Sequence, residues 1–265
     1  METAEEYWLA RALLDWHVEL GADESIGDSP VNRYDLAEPI SAAARQPAAS
    51  RAAPPPIPAA APTVDAPAEA RKAAEAASSL DELAAAMRDF DLCEVKKGAR
   101  KFCFSDGNPA ASVMIIGEAP GREEDLEGRP FVGRAGQMLD RMFAAIGLSR
   151  GSPDSQESVY ITNVLPWRPP SNRTPDAAEI AMMVPFLERH VALVDPDVIC
   201  LMGNTPLTAV LNETGITRLR GQWAEAYGKP VMPMLHPAYL LRQTAAKKQA
   251  WADLLAVKAR LETKP

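Results

Sequence analysis

Three polar side chains, each at the end of a short apolar run, carry the chemistry that this sequence suggests. They are Glu118, Asn163 and His236. A carboxylate and an imidazole can stabilise charge and move protons, while a carboxamide can bind a ligand through both a donor and an acceptor. Each residue alone is weak evidence, since a glutamate often begins a helix and a His-Pro pair often forms a turn. Together they predict one functional site.

The elements that must position these side chains alternate between strands and helices from about residue 80. Four apolar runs are predicted as strands, namely Val113–Gly117, Val159–Asn163, Val198–Gly203 and Val231–Leu235. Apolar residues at helical spacing predict helices over 135–146, 180–194, 204–211 and 245–261. This alternation is typical of an α/β fold whose parallel sheet is covered on both faces. Sites in such sheets form at the carboxyl ends of the strands, where the three side chains lie.

The N-terminal part of the chain differs in composition from the rest. Residues 41–70 contain 13 alanines and 7 prolines, and the proline-rich run 54–58 cannot be helical. We interpret residues 28–79 as a largely disordered Ala/Pro-rich linker and residues 80–265 as the main domain. Residues 1–27 are predicted to hold an amphipathic helix, which either packs against the main domain or docks a partner protein.

The net charge of −8 over 265 residues is unevenly distributed. Residues 1–86 carry a net charge of −9, whereas residues 87–265 carry +1. An acidic total disfavours a nucleic-acid partner, but a neutral domain can still present a basic face, so nucleic acid remains possible. The sequence contains no run of about 18 uncharged apolar residues, so it predicts no membrane-spanning helix. Three scattered cysteines and an acidic N-terminus without a signal-peptide pattern lead us to expect a cytoplasmic protein.

Several loop sequences match a known pattern in order and at compatible spacing. They are Gly117-Glu-Ala-Pro-Gly-Arg-Glu-Glu-Asp125, Gly128-Arg-Pro-Phe-Val-Gly-Arg-Ala-Gly136, Tyr160-Ile-Thr-Asn-Val164, Arg168-Pro-Pro-Ser-Asn-Arg173, Ile216-Thr-Arg-Leu-Arg-Gly221 and His236-Pro-Ala-Tyr-Leu-Leu-Arg242. From about residue 88 to 261, the chain thereby resembles the family 4 uracil-DNA glycosylases. The resemblance implies the uracil-DNA glycosylase fold, a three-layer sandwich with a four-stranded parallel sheet flanked by helices.

The resemblance assigns the reaction to two residues. A glycosylase flips the base out of the duplex and breaks its bond to the sugar. His236 would hydrogen-bond the uracil oxygen beside that bond and stabilise the departing anion. Glu118 would orient or deprotonate the attacking water, and its charge would stabilise the cationic sugar. A structural alternative for Glu118 is a helix cap.

Five residues are implied to bind uracil. Asn163 would match the O4 acceptor and the N3–H donor of uracil together, a pattern that cytosine reverses. Phe131 would stack on the flipped base, with a core role as the alternative. Glu124 would lie near uracil C5 and exclude the thymine methyl group. The backbone at Gly117 and Ala119 would complete the pocket.

A further set of residues is expected to contact DNA. Tyr239 or Leu240 would be the apolar wedge that enters the duplex, and the basic and polar residues would contact phosphates. The set comprises Arg168, Pro170, Asn172, Arg173, Arg220, Tyr239, Leu240 and Arg242. The basic insertion of the covalent-trapping branch is missing after the first motif, so ordinary turnover is expected.

The chain departs from the resemblance at an iron–sulfur site. Family 4 enzymes generally hold a [4Fe–4S] cluster on four cysteines, and here the matching positions are Phe90, Cys93, Trp167 and Met183. A cluster needs its thiolates, so we predict no cluster and no metal. Apolar contacts of Trp167 and Met183 could fill that volume.

The function predicted from the sequence is a monofunctional hydrolase that removes uracil from DNA in base-excision repair. Its expected partners are uracil-containing DNA, free uracil as product, and a repair or replication protein that residues 1–27 would bind. We expect a monomer, associated with the nucleoid in the cytoplasm. Two alternatives remain open: a glycosylase for several deaminated or damaged bases, and a catalytically silent DNA-binding adaptor.

Overall fold

The computed structural model describes residues 65–263. Within this range, six strands form one sheet, with helices packed around it. The strands are β1 (Ser105–Gly107), β2 (Val113–Gly117), β3 (Val159–Asn163), β4 (Val198–Met202), β5 (Ala224–Ala226) and β6 (Lys229–Met234). Their order is β1-β3-β2-β4-β6-β5. The four inner strands run parallel, and the two outer strands are antiparallel to their neighbours. The parallel arrangement brings the carboxyl ends of β2, β3, β4 and β6 to one edge.

The inner strands form because their residues are apolar on both faces. Every residue of β2, β3 and β4 is buried, as continuous apolar runs in a covered parallel sheet require. Gly117 at the end of β2 pairs in register with Asn163 at the end of β3. The loops that follow these two strands therefore leave the sheet at the same level.

Nine α-helices are present in the part of the chain that the structure describes. They are α1 (Ala66–Ala76), α2 (Leu80–Asp89), α3 (Arg122–Glu127), α4 (Arg134–Ala144), α5 (Ala177–Val194), α6 (Asn204–Leu211), α7 (Ile216–Leu219), α8 (Pro237–Arg242) and α9 (Lys247–Glu262). None of these described helices is long and apolar enough to cross a membrane.

The helices cover both faces of the sheet. Helix α5 contacts α1, α2 and α6, whereas α4 contacts α8 and α9. Adjacent residues of β3 point in opposite directions: the Tyr160 hydroxyl bonds His190 Nε2 of α5 at 2.8 Å, and Ile161 lines a small cavity with Leu139 of α4. The predicted α/β class with flanking helices is thus confirmed. The sheet has six strands rather than the expected four, because short antiparallel strands are added at both edges.

The predicted boundary between linker and domain at residue 80 differs from the structure. Helix α1 lies within the segment interpreted as linker, and Ala70 and Ala74 are buried where α1 packs against α5. The Asp65 carboxylate caps this helix by accepting a hydrogen bond from the Ala68 N–H at 3.1 Å. The alanines here are helix formers on a buried face rather than linker residues. The predictions for residues 1–64 lie outside the described residues.

Candidate active site

A cleft of about 790 Å³ opens at the carboxyl ends of the parallel strands. This volume lies within the usual range for small-molecule sites, about 300–1,000 Å³. The cleft receives side chains from the loops after β2, β3, β4 and β6. The predicted site residues among its lining are Glu118, Ala119, Glu124, Phe131, Asn163, Asn172, Arg173, His236, Tyr239 and Arg242. The fold therefore brings these ten residues together at one edge of the sheet.

Asn163 places an unused acceptor in the cleft. Its side chain is 4% exposed, and its Oδ1 atom has no hydrogen-bond partner among the described residues. A Cβ atom on Gly117 would lie 2.4 Å from that oxygen, so the strand end must be a glycine for Asn163 to occupy this place. Since buried polar groups are normally paired, Oδ1 is suited to a donor on a ligand.

Phe131 forms an apolar wall of the cleft in a backbone conformation that large residues rarely adopt. Its φ angle is +53°, in the left-handed region. The Arg150 guanidinium stabilises this turn by donating to the carbonyls of Pro130 at 3.1 Å and Phe131 at 2.9 Å. The Phe131 ring stacks near the His236 ring, with 5.6 Å between the ring centroids. The loop thus holds an aromatic face beside the imidazole.

Glu124 organises the loops that carry Phe131. Its Oε1 accepts hydrogen bonds from the Val132 and Gly133 N–H groups, each at 3.0 Å, and its Oε2 accepts from the Gly121 N–H at 3.1 Å. The carboxylate is almost buried and joins the start of α3 to the start of α4. Its hydrogen bonds therefore go to backbone amides, although the residue also lines the cleft.

Glu118 lies at the mouth of the cleft and is half-buried. The Thr205 hydroxyl, near the start of α6, donates a hydrogen bond to Glu118 Oε2 at 2.5 Å. The main chain around Glu118 is tied to the neighbouring loop, because its carbonyl accepts from the Leu165 N–H at 3.1 Å. Glu118 is thus supported by the loop after β3 on one side and by the start of α6, after β4, on the other.

His236 is held as a neutral hydrogen-bond donor. Its Nδ1 accepts a hydrogen bond from the Ala238 N–H at 3.1 Å, which leaves the ring proton on Nε2. Burial lowers the pKa of His236 from 6.5 to about 4, the Arg242 cation adds to this effect, and the Glu124 carboxylate opposes it. The imidazole is consequently uncharged at neutral pH, with Nε2–H available to a ligand.

The predicted DNA-contacting residues divide into two groups. Asn172, Arg173, Tyr239 and Arg242 line the cleft, and Arg168 Nε donates to Asn172 Oδ1 at 2.7 Å. Pro170, Asn172, Arg173 and Arg242 are exposed, in positions open to a macromolecular ligand. Arg173 also pairs with Glu179 of α5, at 2.5 and 2.8 Å. This group forms a polar and basic rim.

Two predicted DNA-contacting residues are corrected by the structure. Arg220 donates to Asp253, which is 1% exposed, through both Nε and Nη2, and its Nη2 also bonds the Gln249 carbonyl. Its guanidinium is therefore committed to an internal ion pair. Leu240 is 0% exposed and belongs to the core of the domain. Of the two wedge candidates, Tyr239 is the one that faces the cleft.

Sequence reasoning missed Thr205 and Arg150. Thr205 follows the predicted strand at 198–203, so the rule that sites form at strand ends could have found it. Arg150 has no comparable signal. It lies in an irregular segment, and its contacts with Phe131, Asp106 and Asp140 depend on tertiary structure.

The sheet topology and the cleft define an α/β protein whose ligand site lies at the carboxyl ends of its parallel strands. The family profile described as Uracil DNA glycosylase superfamily matches residues 104–255, more than half of the chain. The chain belongs to the uracil-DNA glycosylase superfamily.

Three similar proteins share one name, Type-4 uracil-DNA glycosylase. The one from Archaeoglobus fulgidus is 36% identical over 184 residues, which cover 66% of this chain and 89% of that protein. The one from Saccharolobus solfataricus is 35% identical over 197 residues, covering 71% and 88% respectively. The one from Thermotoga maritima is 39% identical over 153 residues, covering 57% and 77%.

Proposed function

We propose that this protein is a monofunctional glycosylase that hydrolyses uracil from DNA and leaves an abasic site for base-excision repair. The observation that carries the proposal is the Asn163 Oδ1 atom, a buried acceptor that has no hydrogen-bond partner within residues 65–263 and faces a cleft of about 790 Å³. Uracil offers an N3–H donor to this oxygen. Relatives named as uracil-DNA glycosylases support the same substrate.

The carboxamide of Asn163 supports a preference for uracil over cytosine. Asn163 can accept from uracil N3–H and donate to uracil O4 at the same time. Cytosine has an acceptor at N3 and an amino group at C4, so both contacts would be lost. Because an unpaired buried polar group costs about 1–3 kcal/mol, cytosine would be disfavoured in the flipped position.

His236 and Phe131 support departure of the base as an anion. A neutral imidazole with its proton on Nε2 can donate to the uracil oxygen that gains negative charge. Loss of one such donor costs a factor of about 10²–10³ in rate in comparable sites. The Phe131 ring beside His236 provides an apolar surface on which the flipped base can stack.

Glu118 is proposed to act on both the sugar and the attacking water. As carbon–nitrogen cleavage proceeds, the sugar gains oxocarbenium character, and a nearby carboxylate lowers the energy of that positive charge. The same carboxylate can orient the attacking water or take its proton. The atoms balance with water as the nucleophile: the carbon–nitrogen bond pair leaves with uracil, the hydroxyl of water adds to the sugar carbon, the proton of that water passes to Glu118 or solvent, and the uracil anion takes up a proton from solution.

DNA would reach the cleft across its rim. Arg168 and Arg242 are proposed for phosphate contacts, as is Arg173, which keeps 45% of its side chain exposed although it pairs with Glu179. Tyr239, which lines the cleft, is proposed as the wedge that replaces the flipped base in the stack. We also propose that the protein acts at the nucleoid in the cytoplasm, where its DNA substrate lies, and that it acts as a monomer.

The chain is further proposed to work without a [4Fe–4S] cluster, because its residues do not fit one. Of the positions Phe90, Cys93, Trp167 and Met183, one offers a thiol, and all four are buried in the hydrophobic core. Burial raises the pKa of the Cys93 thiol and so disfavours the thiolate that iron requires.

The remaining cysteines do not complete a ligand set. The Cys103 thiol donates to the Glu124 carbonyl at 3.1 Å, and Cys200 lies inside β4. Burial raises the pKa of each thiol to about 12. Residues 65–263 contain no group of three or more His, Cys, Asp or Glu residues that could hold a metal ion. Iron in the anaerobically purified protein, with an absorbance band at about 400 nm, would overturn the proposal that the chain lacks a cluster.

One assay tests the proposed activity and its range. Oligonucleotides carrying uracil, hypoxanthine, xanthine or thymine opposite guanine are incubated with the protein, and abasic sites are then cleaved with alkali. We expect cleavage at uracil, with release of free uracil, and no cleavage at thymine. Cleavage of none would leave a DNA-binding adaptor, whereas cleavage of several bases would establish the broader glycosylase.

A further inference from the structure

The hydroxyl of Thr205 makes a contact that no established role of this chain explains. Thr205 is 4% exposed, and its Oγ1 lies 2.5 Å from Glu118 Oε2. Among residues 65–263, Thr205 is the one hydrogen-bond partner of the Glu118 carboxylate. The two residues are 87 positions apart in the sequence, so the contact is made by the fold.

The sheet brings the two residues together. Strands β2 and β4 are parallel neighbours, with Ile116 in register with Leu201. Glu118 lies just past the end of β2, and Thr205 begins α6 after Gly203, whose φ angle of +102° turns the chain sharply. The loop after β4 therefore brings its hydroxyl to the Glu118 carboxylate at the mouth of the cleft.

A purely local role for the hydroxyl is not supported by its contacts. Threonine at the start of a helix often bonds a nearby backbone group. Here the hydroxyl donates to Glu118, and the N-cap residue of α6 is Gly203, which has no side chain with which to cap the helix. Asn204 performs a separate task, accepting at Oδ1 from the Gly215 and Ile216 N–H groups. The Thr205 hydroxyl thus acts on the cleft rather than on its own helix.

We propose that Thr205 is a positioning residue for the glycosylase reaction, one that holds the Glu118 carboxylate in the orientation that serves water and sugar. The inference rests on the proposed function. A glutamate side chain has three rotatable bonds, and a donor on Oε2 removes much of that freedom. Because Oε2 is held by Thr205, Oε1 remains free to bind the attacking water. The carboxylate is then already oriented before the reaction, so less conformational entropy is lost in reaching the transition state.

The test compares single-turnover excision of uracil by the full chain and its variants. Thr205→Val keeps the shape of the side chain and removes the donor, while Thr205→Ser keeps the donor. A hydrogen bond to a charged group is worth enough to predict a rate loss of roughly 10- to 100-fold for Thr205→Val, with the DNA dissociation constant unchanged. Thr205→Ser should stay within about threefold of wild type.

A matched control is available on the same helix. Thr208 donates its hydroxyl to the Glu213 carbonyl at 3.0 Å and does not line the cleft. Thr208→Val removes a hydroxyl three residues further along, so its excision rate should equal that of wild type. Thermal melting of every variant separates a lost fold from a lost rate.

A double variant shows whether Thr205 acts through Glu118. If it does, adding Thr205→Val to Glu118→Gln should lower the rate by less than twofold beyond Glu118→Gln alone, because residues that act as a unit are not additive. A Thr205→Val rate within twofold of wild type, or a full further loss in the double variant, would overturn the proposal. Failure of wild-type protein to excise uracil would instead overturn the proposed function.

Discussion

At the residue scale, the proposed choice of base would depend on a single carboxamide, that of Asn163, whose oxygen lies close to Gly117. Asn163 ends a buried strand, and the absence of a side chain on Gly117 makes room for its oxygen. Neither feature involves charge, so selectivity would come from the match of one donor and one acceptor. A substitution that changes this match without changing side-chain size should therefore change base choice.

Asn163→Asp is expected to reduce uracil excision and to make cytosine excision measurable. The carboxylate offers acceptors where uracil O4 needs a donor, so the uracil rate should fall roughly 10- to 100-fold. The amino group of cytosine gains an acceptor in exchange. Excision of both bases is measured on matched oligonucleotides. Asn172→Asp is the control, because it adds the same charge at the exposed rim and should leave the preference for uracil unchanged; an unchanged preference in Asn163→Asp would contradict the role of Asn163.

Residue types and spacing predicted much of the cleft but not the direction of side chains. Glu118, Asn163 and His236 lie at the ends of apolar runs, where strand alternation gives their location. Arg220 and Leu240 sit in equally suggestive segments, yet one pairs with Asp253 and the other is buried. Which way a side chain points from a short helix or a turn depends on tertiary packing that spacing alone does not contain.

At the element scale, the loop between α3 and α4 is a unit assembled by close backbone contacts. Its carbonyls accept from Arg150, and its amides donate to Glu124. The first turn of α4 packs directly under it, since a Cβ atom on Gly136 would lie 1.8 Å from the Phe131 carbonyl oxygen. The left-handed conformation of Phe131 persists because these contacts together determine it.

Gly136→Ala is expected to displace Phe131 and to impair excision more than it impairs folding. The added methyl group meets backbone rather than a flexible side chain, so the loop must move. We expect a loss of about 1–3 kcal/mol in the free energy of unfolding and a rise in KM for uracil-containing DNA, because the stacking wall shifts. Chemical denaturation and steady-state kinetics provide the two measurements.

The control for that substitution lies in an open part of the chain. A Cβ atom on Gly151 would meet its first neighbour, Ser149 Oγ, at 3.8 Å, an ordinary contact. Gly151→Ala should therefore alter neither stability nor KM appreciably. If Gly136→Ala behaved like Gly151→Ala, the close packing under Phe131 would not matter for the site.

The elements that were predicted and those that were missed differ in their sequence signal. Three of the inner strands are buried throughout and the fourth, β6, is buried from Val231 onwards, so runs of apolar residues indicate them in the sequence. Strands β1 and β5 have three residues each, including polar ones at the sheet edges, and no periodicity distinguishes them from loops. Helix α1 was hidden by its alanines and Pro67, because a proline in the first turn of a helix and one in a linker look alike in sequence.

At the scale of the whole molecule, a buried histidine, His190, and a half-buried one, His236, link stability to pH. Burial lowers the pKa of His190 from 6.5 to about 3, and burial first, with Arg242, lowers the pKa of His236 to about 4. Both are neutral in the folded state at a pH where the unfolded chain binds protons. The stability they contribute is present above pH 6.5 and is lost as the pH falls towards 4 and 3.

The free energy of unfolding should therefore decrease steadily between pH 7 and pH 5. Near pH 5, the slope of the free energy of unfolding against pH should correspond to the uptake of about two protons per chain on unfolding. Urea denaturation at several pH values measures it. The double variant Tyr160→Phe/His190→Phe removes both partners of the buried 2.8 Å hydrogen bond and should lower the slope by about one proton. A slope equal to that of wild type would contradict the assignment of His190.

The distribution of net charge along the chain also affects how the whole molecule is expected to bind DNA. Residues 1–64 carry a net charge of −6, and residues 65–265 carry −2. If DNA binds across the rim as proposed, Arg168, Arg173 and Arg242 would attract phosphates while the N-terminal segment of the same chain carries the opposite net charge. Long-range repulsion of this kind is screened within about 10 Å at 0.1 M salt, whereas direct phosphate contacts follow the release of counterions.

Replacing the acidic residues of 1–64 with Asn and Gln in the full chain should tighten binding to uracil-containing DNA at low salt. The affinity should rise several-fold at about 50 mM salt, and this rise should disappear by about 300 mM, because salt screens the repulsion between separated charges first. Fluorescence anisotropy across a salt series measures both the affinity and the slope. Keeping the chain at full length separates charge from mere presence of the segment. Equal affinities and equal slopes would show that the acidic segment does not regulate DNA binding electrostatically.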